Sequence, residues 1–507
     1  MTVFLIVETA RFSNRQLNGI LQPNYPTMKR LFCLFAAMAL TLSALTSVQA
    51  QETPSQEGLK PVKYVFLFIG DGMSSPQRQM CDNYLTAIGQ PGMLMNSFPV
   101  KSPTTTWSAN KLVTDSAASG TAIACGEKTN NGRIGMDASG TRKLESSAYV
   151  AKKTGKKVGI LTSVTLNHAT PASFYGNQDD RGKYYLLGLD LLKSGFDFFG
   201  GGAIDKHNDK KYKKYVDDVY KNTLSAGKDF KGDIYELAEN FGYEVVHDAD
   251  DILDLEPGDS KIIACQKEGS LPYAINHEKG LRLDQYLAKA IEMLDGTNGF
   301  FIMCEGGKID WVGHANDAGS VLNESIALDK AVKVAYDFYE KHPDETLIIV
   351  TGDHETGGLT LGFAGEGIQA NYKLLQHQTC SRDRFRDEIY RIEHKKDLTF
   401  DEVKPLIEKS FGFKFDGAKD DPMTVTEEEL NLLLKGFEKD KKDYHNRALA
   451  PVVFKIFDKK VGLSWTTGSH TALPVITSAV GVNADFFKGN LDNTDISKKL
   501  KAIFQAK

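Results

Sequence analysis

The sequence predicts an α/β protein: a three-layer α/β/α sandwich around a mostly parallel central sheet, with a charged helical subdomain inserted into it. Three observations carry this expectation. Short, wholly apolar runs recur at 64–69, 158–161, 300–304 and 347–350. Runs without polar alternation read as strands buried on both faces, as parallel sheets require. Helical patterns lie between them, such as Leu328, Val332, Ala335 and Tyr339, and this alternation predicts a doubly wound sheet with helices over it. Each apolar run also exits into polar residues: Gly70-Asp71-Gly72, Ser163, Glu305 and Thr351-Gly352-Asp353-His354. Ligands of such sheets bind beyond the carboxyl ends of the strands, which makes these residues candidates for one site.

Taken in chain order, the first fifty residues stand apart. Met28-Lys29-Arg30, an apolar run over 31–45 and then Val48-Gln49-Ala50 describe a signal peptide cleaved after Ala50. The apolar run is short for a membrane span, and no later segment is long and apolar enough for one. Residues 1–27 show no role, and Met28 is read as the true start. The mature chain is therefore expected in the periplasm or outside the cell. Removing residues 1–50 takes four cations (Arg11, Arg15, Lys29, Arg30) and Glu8, so the formal charge moves from −5 to −8. An acidic chain argues against a nucleic-acid partner. Small phosphorylated substrates stay open, because bound metals supply local positive charge.

A catalytic domain is expected over 60–500. Its five cysteines, Cys81, Cys125, Cys265, Cys304 and Cys380, show no zinc-knuckle or CxxC spacing and read as buried free thiols, with one disulfide open to an exported protein. Residues 381–450 differ in composition, with 32 charged residues in 70. Two capping-box signals, Thr399 with Glu402 and Thr426 with Glu429, precede apolar residues at helical spacing. They predict an inserted helical cap over 365–462, serving as a lid, an oligomer contact or a solvated decoration. Asp416, Asp420 and Glu427 match EF-hand positions 1, 5 and 12, but Asp421 stands where the loop requires glycine, which argues against calcium.

The chemistry begins at Ser116. Small, helix-tolerant residues follow it in Thr114-Asp115-Ser116-Ala117-Ala118-Ser119-Gly120, and a serine at a helix N-terminus lies among free backbone N–H groups that welcome a phosphoryl group. Its hydroxyl needs a base or a metal to become a nucleophile. Asp310 and His314 are four residues apart, one helical turn, and so share a face. Asp71 ends the first strand, Asp353-His354 follows another, and His470 precedes the apolar run 474–480. Carboxylate and imidazole mixtures suit zinc or a similar dication, and two close dications clamp the attacking and leaving oxygens of an in-line phosphoryl transfer.

Six segments together resemble the successive signatures of the alkaline phosphatase family. They are Ile69-Gly-Asp71-Gly-Met73, Val113-Thr-Asp-Ser116-Ala-Ala-Ser, His168-Ala-Thr170-Pro171, Glu305-Gly-Gly-Lys-Ile-Asp310, Thr351-Gly-Asp-His354 and Gly468-Ser-His470. They stand in the family's order across about residues 60–485. The resemblance implies a phosphomonoesterase that forms a phosphoserine at Ser116. It implies one zinc held by Asp310, His314 and His470, a second by Asp71, Asp353 and His354, and a magnesium by Asp71, Thr170 and Glu305. Arg181, thirteen residues after His168, takes the place of the family's phosphate clamp, with Asp115 orienting it. A homodimer and small phosphate monoesters as substrates are implied as well.

Two positions depart from the pattern. His168 and Trp311 stand where some members carry Asp and Lys near the third metal, so zinc or cobalt competes with magnesium there and His168 becomes a candidate ligand. Trp311 removes a cation from the substrate side. Other hydrolases of the superfamily, phosphodiesterases and sulfatases, are the runner-up. Ser116 lacks the Cys/Ser-x-Pro-x-Arg context of sulfatases, and Ser116 paired with Arg181 favours monoesters over the diesters cleaved by threonine-bearing relatives. A non-catalytic binding protein would lack a nucleophile or a ligand, and none is missing.

Overall fold

Among the described residues, eight strands and six further short or late ones organise the fold: β1 (Tyr64–Gly70), β2 (Val100–Thr105), β3 (Lys157–Thr162), β4 (Phe198–Gly201), β5 (Tyr243–Val246), β6 (Lys261–Cys265), β7 (Phe300–Gly306), β8 (Thr346–Gly352), β9 (Glu355–Thr356), β10 (Leu359–Thr360), β11 (Ser464–Trp465), β12 (His470–Thr471), β13 (Val475–Gly481) and β14 (Leu491–Asp492). The computed structural model describes residues 58–506 except 213–231, 259, 364–369, 394–397 and 443–446. The expected signal peptide, residues 1–50, lies outside the described residues, as does the start of the expected insert at 365–369.

Ten strands form one sheet in the order β14-β2-β13-β8-β1-β7-β3-β4-β6-β5. Neighbours are parallel except around β13, which runs antiparallel to β2 and β8. The reversal has a simple cause. The chain is still at the site end when it leaves His470, so it can only re-enter the sheet running the other way.

Side chains alternate between two cores. Phe66, Phe68, Phe300, Ile302, Ile348 and Val350 face one, which the helices Ser75–Ala87, Leu283–Leu294 and Ala318–Lys341 cover. Val65, Leu67, Ile69, Phe301, Met303 and Ile349 face the other, under Ser116–Cys125, Tyr184–Ser194 and Asn493–Phe504. This is the expected three-layer sandwich. Burial of each such side chain contributes about 1.5–3 kcal/mol. Both faces are apolar, so polarity alone does not choose the strand register. The strand ends do: Gly70 pairs with Gly306 and with Gly352, which lifts Asp71 and Asp353 clear of the apolar layers. A slip of one residue would drag a carboxylate into hydrocarbon, a cost of several kcal/mol even after relaxation (about that order).

The glycine run at 200–202 has a local reason. Gly201 has φ +136, and a Cβ there would lie 1.9 Å from the Thr162 carbonyl oxygen, so only glycine lets β4 end against β3.

Both roots of the charged segment are tied by the antiparallel pairing of β10 with β11. Between them lie the helices Arg382–Glu393, Phe400–Phe411, Glu427–Lys442 and Leu449–Val461. Both capping boxes form: Thr399 N donates to Glu402 at 2.9 Å, and Thr426 N donates to Glu429 at 2.9 Å while Glu429 N returns a bond to Thr426 Oγ1 at 3.2 Å. Phe385, Phe411, Phe454 and Phe457 meet ring to ring, and their cluster is continuous with the first core layer. All five described cysteines are buried free thiols, and no helix among the described residues is long and apolar enough to cross a membrane.

Candidate metal centre and nucleophile

Ser116 opens the Ser116–Cys125 helix, and Asp115 is its N-cap. One oxygen of Asp115 accepts from Ala118 N at 3.0 Å. The other accepts from Gly132 N at 2.9 Å and from Arg181 Nη1 at 3.2 Å. The cap thus fixes the helix end and the guanidinium together. Ser116 Oγ, almost wholly buried, lies 3.3 Å from His354 Nε2.

Three clusters surround it, and within each the candidate ligand atoms lie within 4.8 Å of one another. Asp71, Asp353 and His354 form the first. His354 Nε2 is 3.3 Å from Asp71 Oδ1 and 3.3 Å from Asp353 Oδ2. Asp353 is held by Gly72 N at 3.1 Å and by its neighbour's N–H at 2.8 Å, while Ser119 Oγ donates to it at 3.2 Å. Asp310, His314 and His470 form the second. The Lys308–His314 helix sets Asp310 and His314 one turn apart, and both imidazoles reach Asp310 Oδ1 at 3.4 Å. Each ring is oriented from behind by a carbonyl: Gly468 O on His314 Nδ1 and Thr114 O on His470 Nδ1, both at 2.8 Å. Asp71, His168 and Glu305 form the third. Thr170 stands beside them, its hydroxyl donating to Asp71 Oδ2 at 3.4 Å, and Thr162 donates to Glu305 Oε2.

Electrostatics follow from this crowding. Burial, then the charges of Asp353, Asp310 and Glu305, hold the Asp71 carboxyl well above its usual range. Burial lifts Glu305 to about 8 against the Thr162 hydrogen bond, and lifts Asp353 to about 6. Burial keeps His354 neutral and, with Arg181 nearby, lowers His168 to about 3. Asp310 goes the other way. Burial opposes its charge, but hydrogen bonds from His314 and His470 overcome that and hold it well below the carboxylate range. The same bond raises His314 to about 9.

Such a set fits dications. Asp71 Oδ1, His168 Nδ1 and Glu305 Oε1 are buried without a hydrogen-bond partner, an expensive arrangement for protein alone. Neutral imidazoles and carboxylates are the donors that zinc takes. A family model described as alkaline phosphatase matches residues 62–506. The chain belongs to the alkaline phosphatase family. It is a metal-dependent phosphomonoesterase, and the family works through a phosphoserine intermediate. Alkaline phosphatase 3 of Bacillus subtilis (strain 168) is 29% identical over 94% of this chain and 97% of its own. The crystal structure of a cold-active alkaline phosphatase from a psychrophilic Shewanella sp. superposes with a TM-score of 0.71 at 27% identity, over 87% of this chain and 99% of that one. The Thermus thermophilus enzyme shares the fold at a TM-score of 0.71 and 23% identity, over 91% of this chain and 96% of that one.

Every predicted site residue of the enzyme falls in this region. Arg181 Nη2 lies 3.5 Å from His168 Nε2, and Trp311 meets the His168 ring edge-on with centroids 6.0 Å apart. Lys308, the nearest lysine on the same helix, turns away: its Nζ donates to Leu271 O at 2.5 Å and sits 3.4 Å from the Tyr273 ring centre. Sequence reasoning missed Thr356 and Glu355, both wholly buried. Glu355 accepts from Gln77 Nε2 at 2.7 Å, Gly358 N at 3.0 Å and Thr471 Oγ1, pinning the turn that carries His354 to the strand that carries His470. A charged residue directly after Asp353-His354 was the available signal.

Proposed function

We propose that Ser116 is the nucleophile of this phosphomonoesterase, that two zinc ions occupy the Asp71–Asp353–His354 and Asp310–His314–His470 clusters, and that magnesium occupies the cluster of Asp71, Thr170 and Glu305. The observation that supports this most is the position of Ser116 Oγ, 3.3 Å from the same His354 Nε2 that faces Asp71 and Asp353. When bound, the dications supply charge neutralisation, a lowered pKa for the serine hydroxyl and an ionised water near pH 7–9 (about the range of metal-bound water). Ser116 Oγ forms the bond to phosphorus as the ester oxygen departs, and water then splits the phosphoserine to inorganic phosphate and free hydroxyl. Arg181, aimed by Asp115, offers a planar fork to two phosphoryl oxygens. Phosphoryl transfer needs this positioning and neutralisation more than covalent assistance.

His168 contributes a neutral imidazole nitrogen to the third cluster, which admits zinc or cobalt beside magnesium. Trp311 walls that side of the substrate space. The enzyme acts on small phosphate monoesters as a homodimer, exported by a signal peptide cleaved after Ala50, with residues 60–500 as the catalytic unit and 365–462 as an inserted helical cap. Support for export comes from the basic, apolar and small-residue pattern of 28–50. Acid quenching during turnover of a phosphate monoester, followed by peptide mass spectrometry, is expected to find phosphate on Ser116. Phosphate on another residue, or none at any pH, would overturn the assignment.

A further inference from the structure

We propose that Thr356 is a positioning residue whose single hydroxyl couples the two zinc clusters, fixing the His354 tautomer on one side and the Asp310 carboxylate on the other. The inference rests on the metal assignment above. Thr356 is wholly buried, with Oγ1 2.5 Å from Asp310 Oδ1 and 3.3 Å from His354 Nδ1. A threonine hydroxyl owns one proton, and a carboxylate only accepts. The proton of Thr356 therefore goes to Asp310. His354 Nδ1 must then be the donor to Thr356, which leaves Nε2 bare. Nε2 is the atom that faces Asp71, Asp353 and Ser116 at 3.3 Å each. In the metal-free protein that bare nitrogen can accept from the Ser116 hydroxyl or from a protonated Asp71 or Asp353, so the relay presets His354 as a ligand before any metal arrives.

The backbone holds Thr356 where this relay needs it. Its N–H donates to Gly72 O at 3.2 Å, next to Asp71. A Cβ on Gly72 would lie 2.9 Å from Thr356 Oγ1, and one on Gly313 would lie 3.1 Å from Thr356 Cβ. Thr356 is thus wedged between the segments that carry Asp71 and His314, in a space that holds a branched side chain of three heavy atoms. Groups that orient metal-binding imidazoles in this way typically contribute about 10–100-fold to metal affinity.

Two variants separate the hydroxyl from the packing. Thr356→Val keeps the shape and loses the proton relay, whereas Thr356→Ser keeps the hydroxyl. Chelated wild type and both variants are titrated with zinc chloride by calorimetry, and the metal-free proteins are labelled with ¹⁵N-histidine to read the His354 tautomer by NMR. The expected result is zinc binding weaker by about 10–100-fold in Thr356→Val, with His354 passing from the Nδ1–H tautomer to a mixture, and near wild-type behaviour in Thr356→Ser. Wild-type zinc affinity and tautomer in Thr356→Val would overturn the inference. So would equal loss in both variants, which would assign the effect to packing. Wild type that takes up no zinc would overturn the metal assignment itself, a distinguishable result.

Discussion

Two halves of one site are built in opposite ways. The Asp71–Asp353–His354 cluster is sealed, with side-chain exposure of 0% for all three. In the Asp310–His314–His470 cluster, His314 is 40% and His470 12% exposed. The sealed half hangs from the paired ends of β1 and β8, where the sheet register sets every atom. The open half depends on one helical turn and on two imidazoles that backbone carbonyls orient. The difference sets the buried half against Ser116 Oγ, 3.3 Å from His354 Nε2, and leaves the open half in contact with solvent through His314. It also divides the protons of the metal-free protein. The sealed half keeps them on its carboxyl groups, and the open half keeps them on its histidines.

The strongest way to break this contrast is to remove one ligand from each half. Asp353→Asn is expected to weaken zinc binding and phosphatase turnover by at least ~10²-fold, because no water can enter the sealed half to replace it, while His314→Gln loses roughly tenfold less, the size of effect that ligand-shell changes produce. Equal losses, read by zinc titration and by kcat, would dissolve the distinction. Arg181→Lys comes next. It replaces a fork that Asp115 aims with a point charge, so KM for a phosphate monoester is expected to rise about tenfold with a smaller change in kcat. An unchanged KM would remove Arg181 from the substrate.

A pH series sharpens the comparison more gently. In the metal-free protein, the folded pKa values of Asp71, Asp353 and Glu305 are raised, to about 6 for Asp353 and about 8 for Glu305, against ordinary values of 3.8 and 4.5. The folded state then binds more protons than the unfolded one, so the stability these groups contribute is present at low pH and is lost as pH rises through 6 to 8. The melting temperature of chelated protein is expected to fall on the order of 5 °C between pH 5.5 and 8.5, and metal to restore more stability at the alkaline end. A flat profile in chelated protein would show that the sealed carboxyls do not hold protons.

Much of this was legible beforehand. Uninterrupted apolar runs betray strands covered on both faces, and the acids that end them can go nowhere except the rim of the sheet. Asp310 and His314 announce a helical turn by spacing alone. Thr356 left no such trace and Glu355 only its charge directly after Asp353-His354, because their roles depend on partners 46 and 278 residues away, Asp310 and Gln77. The reversed direction of β13 was equally hidden, since its residues read like those of any inner strand. High charge in the inserted segment suggested a solvated appendage as readily as a lid. What the composition concealed is a cluster of phenylalanines drawn from three helices, Phe385, Phe411, Phe454 and Phe457, which joins that segment to the core.

The central claim, a metal-dependent serine nucleophile, is tested most directly by p-nitrophenol release from p-nitrophenyl phosphate at pH 7–10, with chelated protein re-supplied with zinc, magnesium or cobalt and compared with Ser116→Ala. The expected result is turnover that returns with metal, rises into alkaline pH and falls by at least ~10³-fold in Ser116→Ala, a variant that still binds zinc. Metal-restored turnover that survives in Ser116→Ala would contradict it.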